Sequence, residues 1–359
     1  MTKQTTVVIG AGIIGCSIAQ ALAAAGEAVV VLDAARVGAG VSGSSFGWIN
    51  ASFHADEAHY HLRKEGIAAW HRLEAARGDL PISWGGAFCW EEQGAALMAT
   101  RDGLSTLGYQ VDAVGGDALQ ERLPALGGLP AEALFFAEEG VADVAALTEV
   151  LARDASALGA RFVTGVTVEA ICEVGGRVTG VKTAHGEIAG DRVVVAAGSG
   201  GARLVEALGV KLPMLSRPGL LMKTRPIARV LETVLVTPEG EIRQMQDGRI
   251  VMPTSAGHQG DTTEAITELP LEIAEAALDR IRGYFLGQDL AVDEVTLAWR
   301  PVPGDGLPVV GPAGPEGLYL SVLHSGVTLA AVVAELAARE MLEGERSELL
   351  GPYHPGRFQ

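Results

Sequence analysis

The stretch that most constrains this chain is Thr6-Val7-Val8-Ile9-Gly10-Ala11-Gly12-Ile13-Ile14-Gly15. It leads into a helix-period run that ends at Gly26 and then into a second apolar strand, Ala28 to Leu32, closed by Asp33. Val7 to Ile9 is a β-branched run of the kind buried in a parallel sheet, and Ile14, Ile18, Ala21, Leu22 and Ala25 recur on one helical face. This is strand, tight turn, helix, strand. Gly10 permits the turn, Gly12 lets a pyrophosphate approach the backbone, and Gly15 lets the helix pack closely on the strand. The amides of Ile13 and Ile14 at the helix start then face an anion. Asp33, with Ala34 after it, stands where a carboxylate can accept from both hydroxyls of an adenosine ribose. A dinucleotide site follows from these features in register; the plain alternative is a glycine-rich βαβ turn that binds nothing.

The residues after Asp33 bear on which dinucleotide. Val37 to Trp48 is a long loop of small residues and hydroxyls, where a plain βαβαβ nicotinamide enzyme would continue into another amphipathic helix. Backbone donors and the hydroxyls of Ser42, Ser44 and Ser45 suit a second stretch of phosphate and ring, which favours FAD over a flexible connection.

Composition enters as a set of exclusions. At 359 residues the chain exceeds a usual single core, so two domains are expected. Hydrophobic residues make up 48% and mean hydropathy is +0.26, enough for buried sheets. A net charge of −17 argues against nucleic acid and anionic membrane surfaces, so the phosphates of FAD must be held by local amides against the global field. Cys16, Cys89 and Cys172 lack CxxC spacing, which points to a reducing compartment and away from a metal centre. His54, His59 and His61 cluster without a carboxylate or Cys at ligand spacing, and read better as solvated or capping side chains. Without a signal-like start or a membrane-length apolar run, a soluble cytoplasmic protein is expected.

Further along, the pattern predicts a helix over 58–76, short strands and loops over 82–136, and a helix over 145–158 capped by Asp143 and ended by Gly159. Strands are expected at 161–163 and 166–171, a hairpin at Gly175-Gly176, a strand at 178–183, and a buried strand running from Asp191 into Ala197-Gly198. The chain thus leaves the nucleotide sheet and returns to it. Between Gly219 and Leu297 strands dominate, with one helix from about Leu271 to Phe285.

Three separated blocks, 7–48, 143–198 and 298–342, together resemble the D-amino-acid oxidase and glycine oxidase family of FAD-dependent amine oxidoreductases. The resemblance implies an α/β fold: a discontinuous Rossmann-like FAD domain (1–80, 141–215 and 298–359) and a mainly antiparallel substrate domain (81–140 and 216–297). It implies that Val168 contacts adenine through its backbone and that the Ala197-Gly198 turn passes close to the dinucleotide. It places Ser325, Gly326, Val327 and Thr328, which open the last long helix, beside the flavin N1 and C2 carbonyl. At Arg300 it implies a guanidinium that grips a substrate carboxylate with two parallel donors; a structural ion pair is the plain alternative. The strand that often supplies a tyrosine reads Glu241-Ile242-Arg243-Gln244-Met245-Gln246, so Arg243 or Gln244 takes its place or the substrate differs. No residue matches the family's flavin tethers, so FAD is expected to be noncovalent, and Asp33 stands where Glu is commoner. The implied activity is oxidation of the C–N bond of a small amino acid or secondary amine carrying a carboxylate, with hydride passing to flavin N5 and the imine hydrolysing to a keto acid. Oxygen or a quinone is the electron acceptor, and homo-oligomerisation is left open. The runner-up is a 2-hydroxy-acid or glycerol-phosphate-type dehydrogenase of the same fold.

Overall fold

The structure, a computed structural model, describes residues 4–256 and 264–359. Its organising element is a six-stranded sheet in the spatial order Val309–Pro312, Leu318–Val322, Arg192–Val195, Thr5–Ile9, Ala28–Asp33, Arg161–Thr164. All neighbours are parallel except the first two strands, which form an antiparallel edge. Ile9 aligns with Val195 on one side and Leu32 on the other, so all three strands end level above the glycine turn.

Period-two alternation decides what covers each face. Val8, Val31 and Val194 point into a core shared with the helices Ile13–Ala24, Val144–Ala157 and Gly326–Glu343. Val7, Ile9, Val193 and Val195 point the other way, against Val168, Ile171, Val178 and Val181 of the three-stranded sheet Val168–Val174, Arg177–Thr183, Gly186–Ala189. Both faces are therefore buried, as a parallel sheet requires. The glycine pair at the hairpin tip has φ of 62° and 82°, the left-handed values that a two-residue turn demands.

The second sheet has eight strands in the order Val292–Trp299, Pro218–Thr224, Ile250–Pro253, Gly240–Gln244, Val234–Thr237, Ala87–Cys89, Glu132–Phe136, Asp112–Gly115. Every pairing is antiparallel except that of Val234–Thr237 with Ala87–Cys89, where two distant stretches of chain meet. Met222, Leu235, Ile242, Ile250 and Met252 on one face pack with Ala274, Ala277, Leu278 and Ile281 of the helix Pro270–Ile281.

The expected helices appear at Glu57–Arg77 and Val144–Ala157, with the Asp143 carboxylate accepting from Ala146 N at 3.1 Å. The stretch 82–136 differs from its expectation. It contains the helices Ala95–Thr106 and Gly116–Arg122 as well as strands. Only Leu97 and Leu104 of the first are buried, and only Leu119 of the second, so there was almost no apolar stripe to read. The helix expected to reach Phe285 becomes a 3₁₀ turn at Arg282–Tyr284. Among the described residues no helix is long and apolar enough to cross a membrane.

His59, 6% exposed, sits in the second helix with Nδ1 accepting from Ala55 N and its ring edge-on to Tyr353. Burial, helped by the nearby Arg63 cation, lowers its pKa from 6.5 to about 4. The native state therefore binds fewer protons than the unfolded chain between these values, and the stability present above pH 6.5 is lost as pH falls toward 4. The loss is on the order of 3 kcal/mol. Urea unfolding at pH 7.5 and pH 5 should show a smaller loss in His59→Gln than in the parent; equal losses would remove His59 as the cause.

Candidate active site

At the end of the first strand Gly10 has φ +107°, and a Cβ there would lie 2.4 Å from the Ala196 carbonyl oxygen. A Cβ on Gly15 would lie 1.9 Å from the Gly10 carbonyl oxygen, so the first helix rests directly on the turn. Gly12 is different: its missing Cβ would approach only Ser42 Oγ, at 3.1 Å, and the residue faces a cavity. These are the three glycine tasks of a dinucleotide turn.

Asp33 Oδ2 accepts from Ala11 N at 2.7 Å and Oδ1 from Ala35 N at 2.8 Å. The carboxylate thus ties the glycine turn to the strand end, and each oxygen keeps a lone pair for a hydroxyl. Ser42, in the 3₁₀ turn Val41–Ser44, accepts from Ile13 N at 2.9 Å. It caps the first helix from a distance, leaving its own proton to donate. Ser45 Oγ accepts from Gly47 N at 3.2 Å and steadies the loop.

These groups line one cavity of about 760 Å³, within the range of small-molecule sites. Its walls include Gly10, Gly12, Ile13, Ile14, Asp33, Ala34, Ser42, Ser44, Ser45, Val168, Ala197, Gly198, Arg300, Ser325, Gly326, Val327 and Thr328. Two of the expected residues are not in its lining. Gly15 lies beneath the turn, and Arg243 is buried with its guanidinium 5.8 Å from the ring of Phe46, which does line the cavity. Burial lowers the Arg243 pKa to about 10, against the pull of Asp143 and Asp247. Gln244 is fully occupied elsewhere: its Oε1 accepts from Val230 N and Leu231 N, and its Nε2 donates to the carbonyls of Ala228 and Gly248. The strand-mate that faces the cavity is Glu241.

Arg300 follows the strand Val292–Trp299 and donates its backbone N–H to the Arg217 carbonyl at 2.9 Å. Its side chain lies over Gly219, where a Cβ would sit 3.5 Å from Nε and 3.6 Å from Cδ. Leu220, Leu221, Pro253, Leu297 and Trp299 supply apolar wall around it.

A buried polar cluster that the sequence did not single out borders the same cavity. Arg63, 1% exposed, donates from Nε to the Asn50 carbonyl at 3.0 Å, from NH2 to Asn50 Oδ1, and from NH1 to Ser325 Oγ at 2.7 Å. Glu139, fully buried, accepts from Trp48 Nε1, Ala51 N, Ser52 N and the Tyr109 hydroxyl. Four donors on one carboxyl suit its ionised form, although burial pushes its pKa up. Thr328 Oγ1 accepts from Asn50 N and donates to the Trp48 carbonyl, closing the ring of contacts. A signal for Arg63 did exist: it shares a helical face with the buried Tyr60, Ile67 and Trp70, a charge on an apolar stripe. Among the described residues no group of His, Cys, Asp and Glu could hold a metal ion.

The residues fit an adenine-linked flavin. Gly12 leaves open the space a Cβ would fill, Asp33 retains acceptors, and one continuous lining joins the glycine turn to Arg300. Fold and site together define a dinucleotide-binding α/β oxidoreductase. Residues 5–340 match the FAD dependent oxidoreductase family, to which the chain belongs; its cofactor is FAD. The chain is 28% identical to the glycine oxidase of Pseudomonas putida over 99% of each protein. It is 27% identical to the bifunctional protein ThiO/ThiG of Trichormus variabilis over its whole length, yet spans only 56% of that relative. The L-proline dehydrogenase of P. horikoshii has the same fold, with a TM-score of 0.88 at 21% identity over 99% of this chain and 98% of that one.

Replacing Ser42 by Ala strips the acceptor from Ile13 N in free and bound protein alike, and also removes the hydroxyl proton left for a ligand, a loss to binding of about 1 kcal/mol. Titration of the apoprotein with FAD should show roughly fivefold weaker binding. Unchanged affinity would mean that water replaces the hydroxyl.

Proposed function

We propose that the protein oxidises the C–N bond of a small amino acid or secondary amine carrying a carboxylate, and that Arg300 is the residue that grips that carboxylate. The carrying observation is the arginine itself: it lines the cofactor cavity on a strand end, with a glycine beneath its side chain and apolar residues around it. A planar guanidinium in an apolar wall binds a carboxylate through two parallel donors and fixes the rotation of the α-carbon. In this reading residues 1–80, 141–215 and 298–359 carry FAD, noncovalently, and residues 81–140 and 216–297 face the substrate. Relatives named glycine oxidase and L-proline dehydrogenase support a substrate of this kind.

FAD supplies the acceptor for the hydride that leaves the substrate carbon. The chain then has three tasks. Arg300 holds the carboxylate. Leu220 and Leu221, both buried, give the cavity an apolar wall near Arg300, which strengthens its grip by lowering the local dielectric. The amides at the start of the helix Gly326–Glu343 stabilise negative charge that develops nearby. Substrate enters as the neutral amine, so proton removal precedes binding and asks little of the side chains. The imine leaves and hydrolyses to a keto acid, and oxygen or a quinone takes the electrons.

An anaerobic screen of glycine, D-amino acids, N-methyl amino acids, cyclic imino acids and 2-hydroxy acids, read by loss of the yellow flavin absorbance, tests the class. Bleaching by hydroxy acids alone would overturn the amine reading. Arg300→Gln should lower kcat/KM for the best carboxylate substrate by about 10² to 10³, the cost of losing a two-donor charge-assisted pair. Gly219→Ala should be tolerated because its methyl reaches only ordinary contact distance, whereas Gly219→Val should raise KM by displacing the Arg300 stem. An unchanged KM in both Arg300→Gln and Gly219→Val would show that the carboxylate binds elsewhere.

A further inference from the structure

Arg63 is a buried cation for which the amine oxidation itself has no use. It comes from the helix Glu57–Arg77, is almost wholly buried, and still borders the cofactor cavity. Burial lowers its pKa only to about 10, with Glu139, Tyr109 and Glu241 opposing the shift, so it is charged at neutral pH. Its NH1 donor holds the hydroxyl of Ser325, which caps the last long helix with φ 58° and ψ 26°. Ser325 is the only non-glycine residue with positive φ among the described residues. That conformation is strained for a serine and persists only where the surroundings enforce it. Here the enforcing contact is the guanidinium, itself locked by two bonds to Asn50.

The place of this clamp along the cofactor can be read from its neighbours. Asp33 marks the ribose and the Gly10 to Ile14 turn the pyrophosphate. Gly326 lies directly beyond, with its Cβ position 3.6 Å from the Ile14 Cδ1 atom. Beyond the pyrophosphate, FAD continues into the ribityl chain and the ring.

We propose that Arg63 is a positioning residue for the flavin: it clamps Ser325 so that the helix-start amides meet the ring, and it adds a buried positive charge there. Both effects favour negative charge on the pyrimidine end of the ring, the charge that appears on reduction. A cation beside a helix N-terminus is ordinarily unfavourable, since both are positive. The arrangement makes sense where an anion is to be bound between them. Glu139 is engaged instead by Trp48, Tyr109 and the Ala51 and Ser52 amides, which leaves the Arg63 donors to Asn50 and Ser325.

The test needs no amine substrate and so is separate from the identity of the reaction. FAD-loaded parent, Arg63→Gln, Arg63→Lys and Ser325→Gly proteins are titrated with sulfite. Sulfite forms a bond to flavin N5 with its own electron pair and leaves the negative charge on the N1–C2 carbonyl end. The two-electron midpoint potential is measured in parallel. Arg63→Gln should weaken sulfite binding about tenfold and lower the potential by about 30 mV, the same tenfold expressed for two electrons. Arg63→Lys, which keeps the charge, should stay within about threefold of the parent. Ser325→Gly accepts the left-handed backbone and so folds even if Arg63→Gln does not. Cutting the clamp in this way should weaken sulfite binding about threefold. The proposal is overturned if Arg63→Lys and Arg63→Gln shift equally. It is overturned as well if Ser325→Gly matches the parent in both sulfite affinity and potential.

Discussion

The close approach of Gly10 to the Ala196 carbonyl is the constraint on which the rest of this molecule depends. Only a residue without a Cβ, in a left-handed conformation, can turn there. The turn joins the start of the nucleotide sheet to a strand that arrives more than 180 residues later, through the parallel pairing of Thr6–Ile9 with Arg192–Val195. That pairing levels the strand ends, and the level ends form one wall of the cavity. Asp33 tightens the same corner by accepting from Ala11 N, so a carboxylate that lines the cavity also braces the turn.

Around this floor the protein tolerates an unusual burden of buried charge. Arg63, Arg243 and Glu139 all have 6% exposure or less, and isolated ions at such depth would be expensive. Arg63 and Glu139 are reconciled by a full set of hydrogen bonds supplied mostly by one loop, Trp48 to Ser52. Arg243 is handled differently: its Nε is buried without a hydrogen-bond partner, and its charge faces the ring of Phe46. The stretch from Phe46 to Ser52 is therefore the counter-wall for all three ions.

Much of this was legible in the residues. The strand, turn and helix of 5–24, the Asp143 cap, the glycine hairpin at 175–176 and the left-handed stop at Gly344 all obey short-range rules that tertiary packing did not override. The helix Ala95–Thr106 was not legible because it buries so little that its pattern is mostly polar. Glu139 was invisible for another reason. It lies in Ala137-Glu138-Glu139-Gly140, which reads as a solvated turn, and nothing local distinguishes it from Glu138, which pairs with Lys64 at the surface. The partners of Glu139 are 30 to 91 positions away, beyond the reach of any periodicity argument. Arg300 was singled out through its neighbours in sequence, whereas Glu241 was passed over in favour of Arg243 and Gln244: alternation puts Glu241 and Arg243 on the same face of the strand, and which of the two reaches the cavity is set by tertiary packing rather than by the local pattern.

The interleaving of the two sheets carries a consequence for biogenesis. The eight-stranded sheet closes where Ala87–Cys89 meets Val234–Thr237, and the parallel sheet is completed only by Leu318–Val322. A nascent chain emerging from the ribosome must hold Val7, Val8 and Ile9 unpartnered on one side until residue 195 is made, and keep Val193 to Val195 waiting for the strand near residue 320. Local helices can form early, but neither sheet is a unit that matures alone. Through most of its synthesis such a polypeptide carries apolar strands without their partners, the condition in which association between chains competes with folding.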